Sequence, residues 1–161
     1  MSAEKNVQDT HISAQLRTLH GALISIASVM NRPRNDERLI EAAGLKLDQA
    51  LFRLLVVIER MGPIGVVELA DRLGRDYTTI SRQVARLEGM DLVVRRAGAQ
   101  DRRVREALIA PKGKEMTDRI DAARERMARG IFDTWSEDDL ADLVRLMRRF
   151  ADGLETLESA P

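Results

Sequence analysis

The segment ELADRLGRDYTTISRQVARLE, Glu68–Glu88, leaves this chain few ways to fold. Two short stretches, about Val66–Leu73 and Tyr77–Met90, read as helices, and only a turn around Gly74–Asp76 separates them. A turn that tight needs a residue able to adopt a left-handed conformation after the first helix, and Gly74 supplies it. Asp76 follows as an N-cap for the second helix. Along that second helix Ile80, Val84 and Leu87 share one face and are expected to pack inward, leaving Thr78, Thr79, Ser81, Arg82, Gln83 and Arg86 outside. Short hydroxyls near a helix N-terminus permit close approach to phosphates and base edges. Arg82 and Gln83 are long enough to reach base edges in a major groove, where arginine suits guanine and glutamine suits adenine. An ordinary amphipathic surface helix has the same periodicity, so the following segment decides.

That segment is LVVRRAGAQDRRVREALIAPKG, from Leu92 to Gly113. Strand-type runs at Leu92–Val94 and Val104–Ile109 flank AGAQD, which reads as a hairpin with a flexible tip. Arg95 and Arg96 follow the first run, and Asp101, Arg102 and Arg103 close the tip. An arginine at a hairpin tip can enter a minor groove, where the negative potential is enhanced. Asp101 is an acid in a basic tip, a placement that makes sense if it holds an arginine side chain, Arg103 for instance, in a reaching orientation.

Charge points the same way once it is taken locally. The whole chain is neutral, with 26 basic and 26 acidic residues. Between Arg72 and Arg105 nine arginines face four acids, a net +5, and the block contains no lysine. The remainder is −5. A basic block inside an acidic protein is what localised phosphate binding requires.

Both ends read as long helices. Ile12, Leu16, Leu19, Leu23, Ile26 and Met30 form a heptad seam over a helix of about 20 residues. The run NRPRNDER is expected to end it, with a short helical turn at Glu37–Ala43 closed by Gly44. Asp48 caps a helix reaching Met61 that is apolar nearly all round, hence central and buried, and Gly62 and Pro63 stop it. Pro111 suits the first turn of a further helix to about Phe132. Ser136 and Asp139 resemble a capping box before a second heptad seam of Leu140, Leu143, Met147, Phe150, Leu154 and Leu157. The expected fold is mainly α with a small β-hairpin wing: a winged helix-turn-helix over 46–110, between an N-terminal dimerisation helix and linker (1–45) and C-terminal dimerisation helices (111–161), as one compact fold. Two heptad-patterned terminal helices expose more apolar surface than one chain of 161 residues readily covers. Two reading heads related by a twofold axis also read a palindrome. Packing of the first helix on the last within one chain is the competing arrangement, and both can occur together.

Several classes are disfavoured. No cysteine is present, which removes disulfides, cysteine zinc sites and thiol switches. The two histidines, His11 and His20, do not make a metal site, and neither metal nor cofactor is expected. No nucleophile–histidine–acid set or phosphate-binding glycine loop is visible, so no enzyme is expected. The first ten residues lack the apolar core of a signal peptide. No run approaches the roughly 18 apolar residues of a membrane span. A cytoplasmic protein without a membrane partner is expected.

The order of helix, tight turn, SxR-type helix, and then RR, four residues and DRR resembles the MarR family of ligand-responsive regulators. The resemblance implies a sequence-specific regulator of double-stranded DNA, a homodimer on a palindromic operator, acting as a repressor released by a small molecule. It places Thr78, Thr79, Ser81, Arg82 and Arg86 on the recognition helix, the D-x-R element of the wing at Asp101 and Arg103, and the first and last two helices in a dimer interface. It also implies an effector, typically an aromatic acid or other apolar anion, between the dimer base and the reading head. Arg17, His20 and Trp135, polar or aromatic side chains on otherwise apolar helices, are candidate pocket residues, although a structural or exposed role is the more ordinary reading of each. Tyr77, and Ile109–Ala110–Pro111 in place of a frequent Leu-Thr pair, depart from the family pattern. The rival reading is a winged-helix protein-interaction module without a DNA target.

Overall fold

Helix termini in this chain are set by local chemistry, and they define the elements. The computed structural model describes residues 2–99, 101 and 103–158. Its elements are α1 Ser2–Met30, α2 Pro33–Ala42, α3 Gln49–Met61, β1 Ile64–Gly65, α4 Val66–Arg72, α5 Tyr77–Gly89, β2 Val93–Ala97, β3 Arg105–Ile109, α6 Pro111–Phe132 and α7 Glu137–Glu158. The chain divides into two compact units, Met1–Ile120 and Asp121–Pro161, with the division falling inside α6.

Asp48 caps α3 by accepting the Leu51 amide at 2.9 Å. Gly74 takes φ 58° after α4. There the Arg75 amide reaches the Ala70 carbonyl and the Gly74 amide reaches the Asp71 carbonyl, which satisfies the last acceptors of the helix. Gly44 ends α2 in the same way. The third instance, after α5, uses Asp91 at φ 61°, a left-handed conformation without glycine. Its amide and that of Leu92 bond the carbonyls of Glu88 and Leu87, and both leucines are buried.

The core of the first unit joins Leu51, Leu54, Leu55 and Ile58 of α3 with Leu69 of α4, Ile80, Val84 and Leu87 of α5, and Val93 and Ala107 of the sheet. The inward face expected of α5 is therefore the observed one. The strands form an antiparallel sheet in the order β1-β3-β2, with Val93 opposite Ile109 and Ala97 opposite Arg105.

Four details differ from expectation. Pro33 opens α2, whose start lies inside the run read as a break, because proline at a first helical position forfeits no hydrogen bond. The strand β1 pairs Ile64 with Ala107, and two residues carry no periodicity to read. The first wing strand extends past Val94 to Ala97, since charged residues on an exposed hairpin mask alternation. Finally, α1 begins at Ser2 rather than near Ile12.

Each terminal helix leaves apolar side chains open. On α1 Ile12, Leu16, Leu19, Ile26 and Met30 are exposed, and Leu23 is half-buried. On α7 Leu140, Leu143, Met147, Leu154 and Leu157 are exposed, and Phe150 is half-buried. The Ser136–Asp139 capping box forms in both directions: the Asp139 amide donates to the Ser136 hydroxyl, and that hydroxyl donates to the Asp139 carboxylate. No helix among the described residues is long and apolar enough to cross a membrane.

Candidate nucleic-acid interface

The second helix of the helix-turn-helix is anchored before it reads anything. Asp76 accepts the Thr79 amide at 2.8 Å and the Thr79 hydroxyl at 2.7 Å. Those two hydrogen bonds, the side-chain one foremost, hold the Asp76 carboxyl below its ordinary range. The anion-binding terminus of α5 is thus already occupied by a carboxylate, and the Thr79 hydroxyl proton is committed. Thr79 keeps lone pairs to accept from a base amino group, but its own amide and hydroxyl proton are no longer available to a phosphate. Thr78 and Arg82 are exposed, and Ser81 and Gln83 are half-buried.

The arginines divide into two sets. Arg72 pairs with Glu68 at 3.0 Å, Arg86 with Asp48 at 3.0 Å, Arg95 with Glu88, and Arg96 lies 3.6 Å from Glu106 across the sheet. Three of those acids, Asp48, Glu68 and Glu106, lie outside the Arg72–Arg105 block, so the +5 read from sequence overstates its free positive charge. Among the described residues Arg75, Arg82, Arg103 and Arg105 make no ion pair or hydrogen bond through their guanidinium groups. Arg75 and Arg105 carry no signal in the spacing: Arg75 makes no ion pair among the described residues, and Arg105 is near enough to Glu88 to attract it without a hydrogen bond.

At the wing tip Asp101 reaches Arg103 through its main chain: the Arg103 amide donates to the Asp101 carboxylate at 2.9 Å. This corrects the expected clamp on the Arg103 guanidinium. An Asx-type turn positions the backbone, and the side chain is left exposed. Arg102, also expected at the tip, lies outside the described residues.

The base of the wing is held by the start of α6. The Leu92 carbonyl accepts the Ala110 amide at 3.0 Å, and the Met90 carbonyl accepts Lys112 Nζ at 2.8 Å. Gly113 lies so close that a Cβ there would be 2.0 Å from the Leu92 carbonyl oxygen. Pro111 opens this helix as expected.

The three pocket candidates fall in different units. Arg17 and His20 are exposed on α1 of the first. Trp135, in the second, meets Phe132 edge to face at 5.3 Å and lines an open hollow of about 550 Å³ with Asp139, Asp142 and Leu143. Asp139 is held below its ordinary range by its hydrogen bonds from Ser136, and Asp142 pairs with Arg145 at 2.9 Å. Among the described residues no three metal-ligating side chains come together.

A turn-separated helix pair with an exposed basic reading face, followed by an arginine-tipped hairpin, defines a winged helix-turn-helix protein. Residues 47–104 match the model of the MarR family. An uncharacterized HTH-type transcriptional regulator, YxaD of Bacillus subtilis (strain 168), is 29% identical over 103 residues, which is 64% of this chain and 72% of that one. The crystal structure of MarR superposes with a TM-score of 0.63 at 24% identity, covering 86% of this chain and 92% of that one. A MarR family protein from Bacillus stearothermophilus gives 0.68 at 18% identity, covering 89% and 97%. At these identities the two structures speak to the fold. Over residues 47–104 the chain is similar to the MarR family of transcriptional regulators, and its fold is shared with MarR-type structures.

Proposed function

We propose that this chain is a homodimeric regulator that reads a palindromic double-stranded operator, represses from it, and is released by a small molecule. The observation that carries the reading is the set of free cations on one head: Arg82 on α5 and Arg103 at the wing tip, both exposed and unpaired among the described residues. Arg82 reads a base edge in the major groove, with Thr78, Ser81 and Gln83 beside it. Arg103 meets the adjacent minor groove or its phosphates. Of the other expected contacts, Arg86 and Arg95 are engaged by acids, and Thr79 contributes as a hydrogen-bond acceptor. The open apolar stripes of α1 and α7 support dimerisation, because exposed surface of this kind marks an interaction site. A duplex-reading role suits a cytoplasmic protein without catalytic turnover.

Release by an effector rests on the family resemblance. Such a ligand acts by binding one spacing of the two recognition helices better than the other. If Trp135 belongs to its site, the carboxylate of Asp139 beside it suits a neutral aromatic better than an acid.

Selection of bound sequences from random duplex, followed by gel shifts, tests the reading. A palindrome is expected, with affinity falling steeply as salt rises. Arg82→Ala is expected to cost about 1–3 kcal/mol of base discrimination, and Arg103→Ala to weaken binding evenly across sequences. Unchanged duplex affinity in both variants leaves the protein-interaction module as the better reading.

A further inference from the structure

A duplex has to meet the recognition helix and the wing together, yet only Met90, Asp91 and Leu92 join α5 to β2. Something has to set the angle between the two. Glu88 is the penultimate residue of α5, and Arg95 is the middle residue of β2. Both Nε and Nη2 of Arg95 donate to the same oxygen, Glu88 Oε2, the Nε contact at 2.8 Å. Arg95 shares a β2 face with the buried Val93, two residues away, so its side chain starts from the core side of the strand.

We propose that Glu88 and Arg95 form an internal brace that holds the wing at its working angle to the recognition helix, making Arg95 a positioning residue rather than a phosphate ligand. The proposal rests on the DNA-reading function above. To take a phosphate, Arg95 has to surrender a carboxylate, exchanging one charge-assisted pair for another with little gain. The exchange also strips Glu88 of its hydrogen-bonded partner and leaves it only the longer-range attraction of Arg105. The carboxyl of Glu88 is held below its ordinary range, chiefly by the Arg95 hydrogen bond, so it stays an anion across neutral pH. Arg82 and Arg103 have no such competitor among the described residues.

The slope of log affinity against log salt separates a brace from a ligand, because it counts neutralised phosphates. On a duplex selected by the wild-type chain, Arg95→Ala and Glu88→Ala are each expected to weaken binding about two- to fivefold with the slope unchanged. The charge-reversed pair Glu88→Arg with Arg95→Glu is expected to recover most of that affinity. Arg103→Ala serves as the contrast, lowering the slope by about 0.9 if it neutralises one phosphate. A drop of that size in Arg95→Ala, or tighter binding by Glu88→Gln, overturns the brace. Hydrogen exchange on the chain without DNA gives a second readout: Glu88→Gln is expected to speed exchange of β2 and β3 amides while those of α3 hold. Unchanged wing exchange also overturns it. If the wild-type chain binds no duplex, the regulator reading falls, and the exchange result still decides the brace.

Discussion

Substituting Gly113 by alanine places a methyl group where the start of α6 meets the first residues of the wing. The added Cβ stands 2.0 Å from the Leu92 carbonyl oxygen and 2.7 Å from Ile109 Cδ1, whereas ordinary contact begins near 3.4 Å. The isoleucine can turn away, but the carbonyl is main chain, and α6 has to retreat by about 1.4 Å, the shortfall from ordinary contact. That displacement breaks the Ala110 amide to Leu92 carbonyl bond, worth about 1 kcal/mol. Strain from overpacking adds about 2 kcal/mol, and the better helix propensity of alanine returns about 1. The net expectation is a loss of about 2 kcal/mol, or about 4–8 °C in Tm for a chain of this length. Differential scanning calorimetry measures it, with Gly89→Ala as the control. Gly89 is helical and has nothing within 4 Å of its would-be Cβ, so its replacement should be neutral or slightly stabilising. The close-approach argument fails if Gly113→Ala melts at or above the wild-type temperature.

Two further outcomes are expected. Asp91→Gly relieves a left-handed conformation at φ 61° and should stabilise by about 0.5–1 kcal/mol in urea unfolding; a loss instead means that the exposed Asp91–Lys112 pair outweighs the strain. Asp76 and Asp139 both have carboxyls lowered in the folded chain, by hydrogen bonds from Thr79 and Ser136. A depressed folded value stabilises above the ordinary value of 3.8 and is lost as pH falls through the folded one. Melting temperature measured from pH 6 downward should therefore drop below about 4, and the Asp76→Asn, Asp139→Asn variant should show a shallower drop.

Much of the reading head was legible because its signals are local. The caps at Asp48 and Asp76, the left-handed Gly74 and the inward face of Ile80, Val84 and Leu87 depend on neighbours within four residues. Helix periodicity and capping are properties of such short windows. The same short range explains the misses: β1 is two residues long, and the extension of β2 depends on Arg96 and Ala97 pairing with Glu106 and Arg105 across the hairpin.

The helix-turn-helix and its basic hairpin, the feature that most narrowed the fold, follow from residue order alone. Which arginines are free does not. Arg86 looks like Arg82 on a helical wheel of the exposed face, yet one meets Asp48, 38 residues away, and the other meets no acid among the described residues. An ion pair depends on distance in space, and a carboxylate brought in from another element carries no trace in the spacing around the arginine. Only the tertiary structure sorts the eight described arginines of the block into paired and unpaired ones, because folding brings Asp48, Glu88 and Glu106 to their partners; Glu68 and Arg72, four residues apart on α4, are the one pair that spacing alone shows.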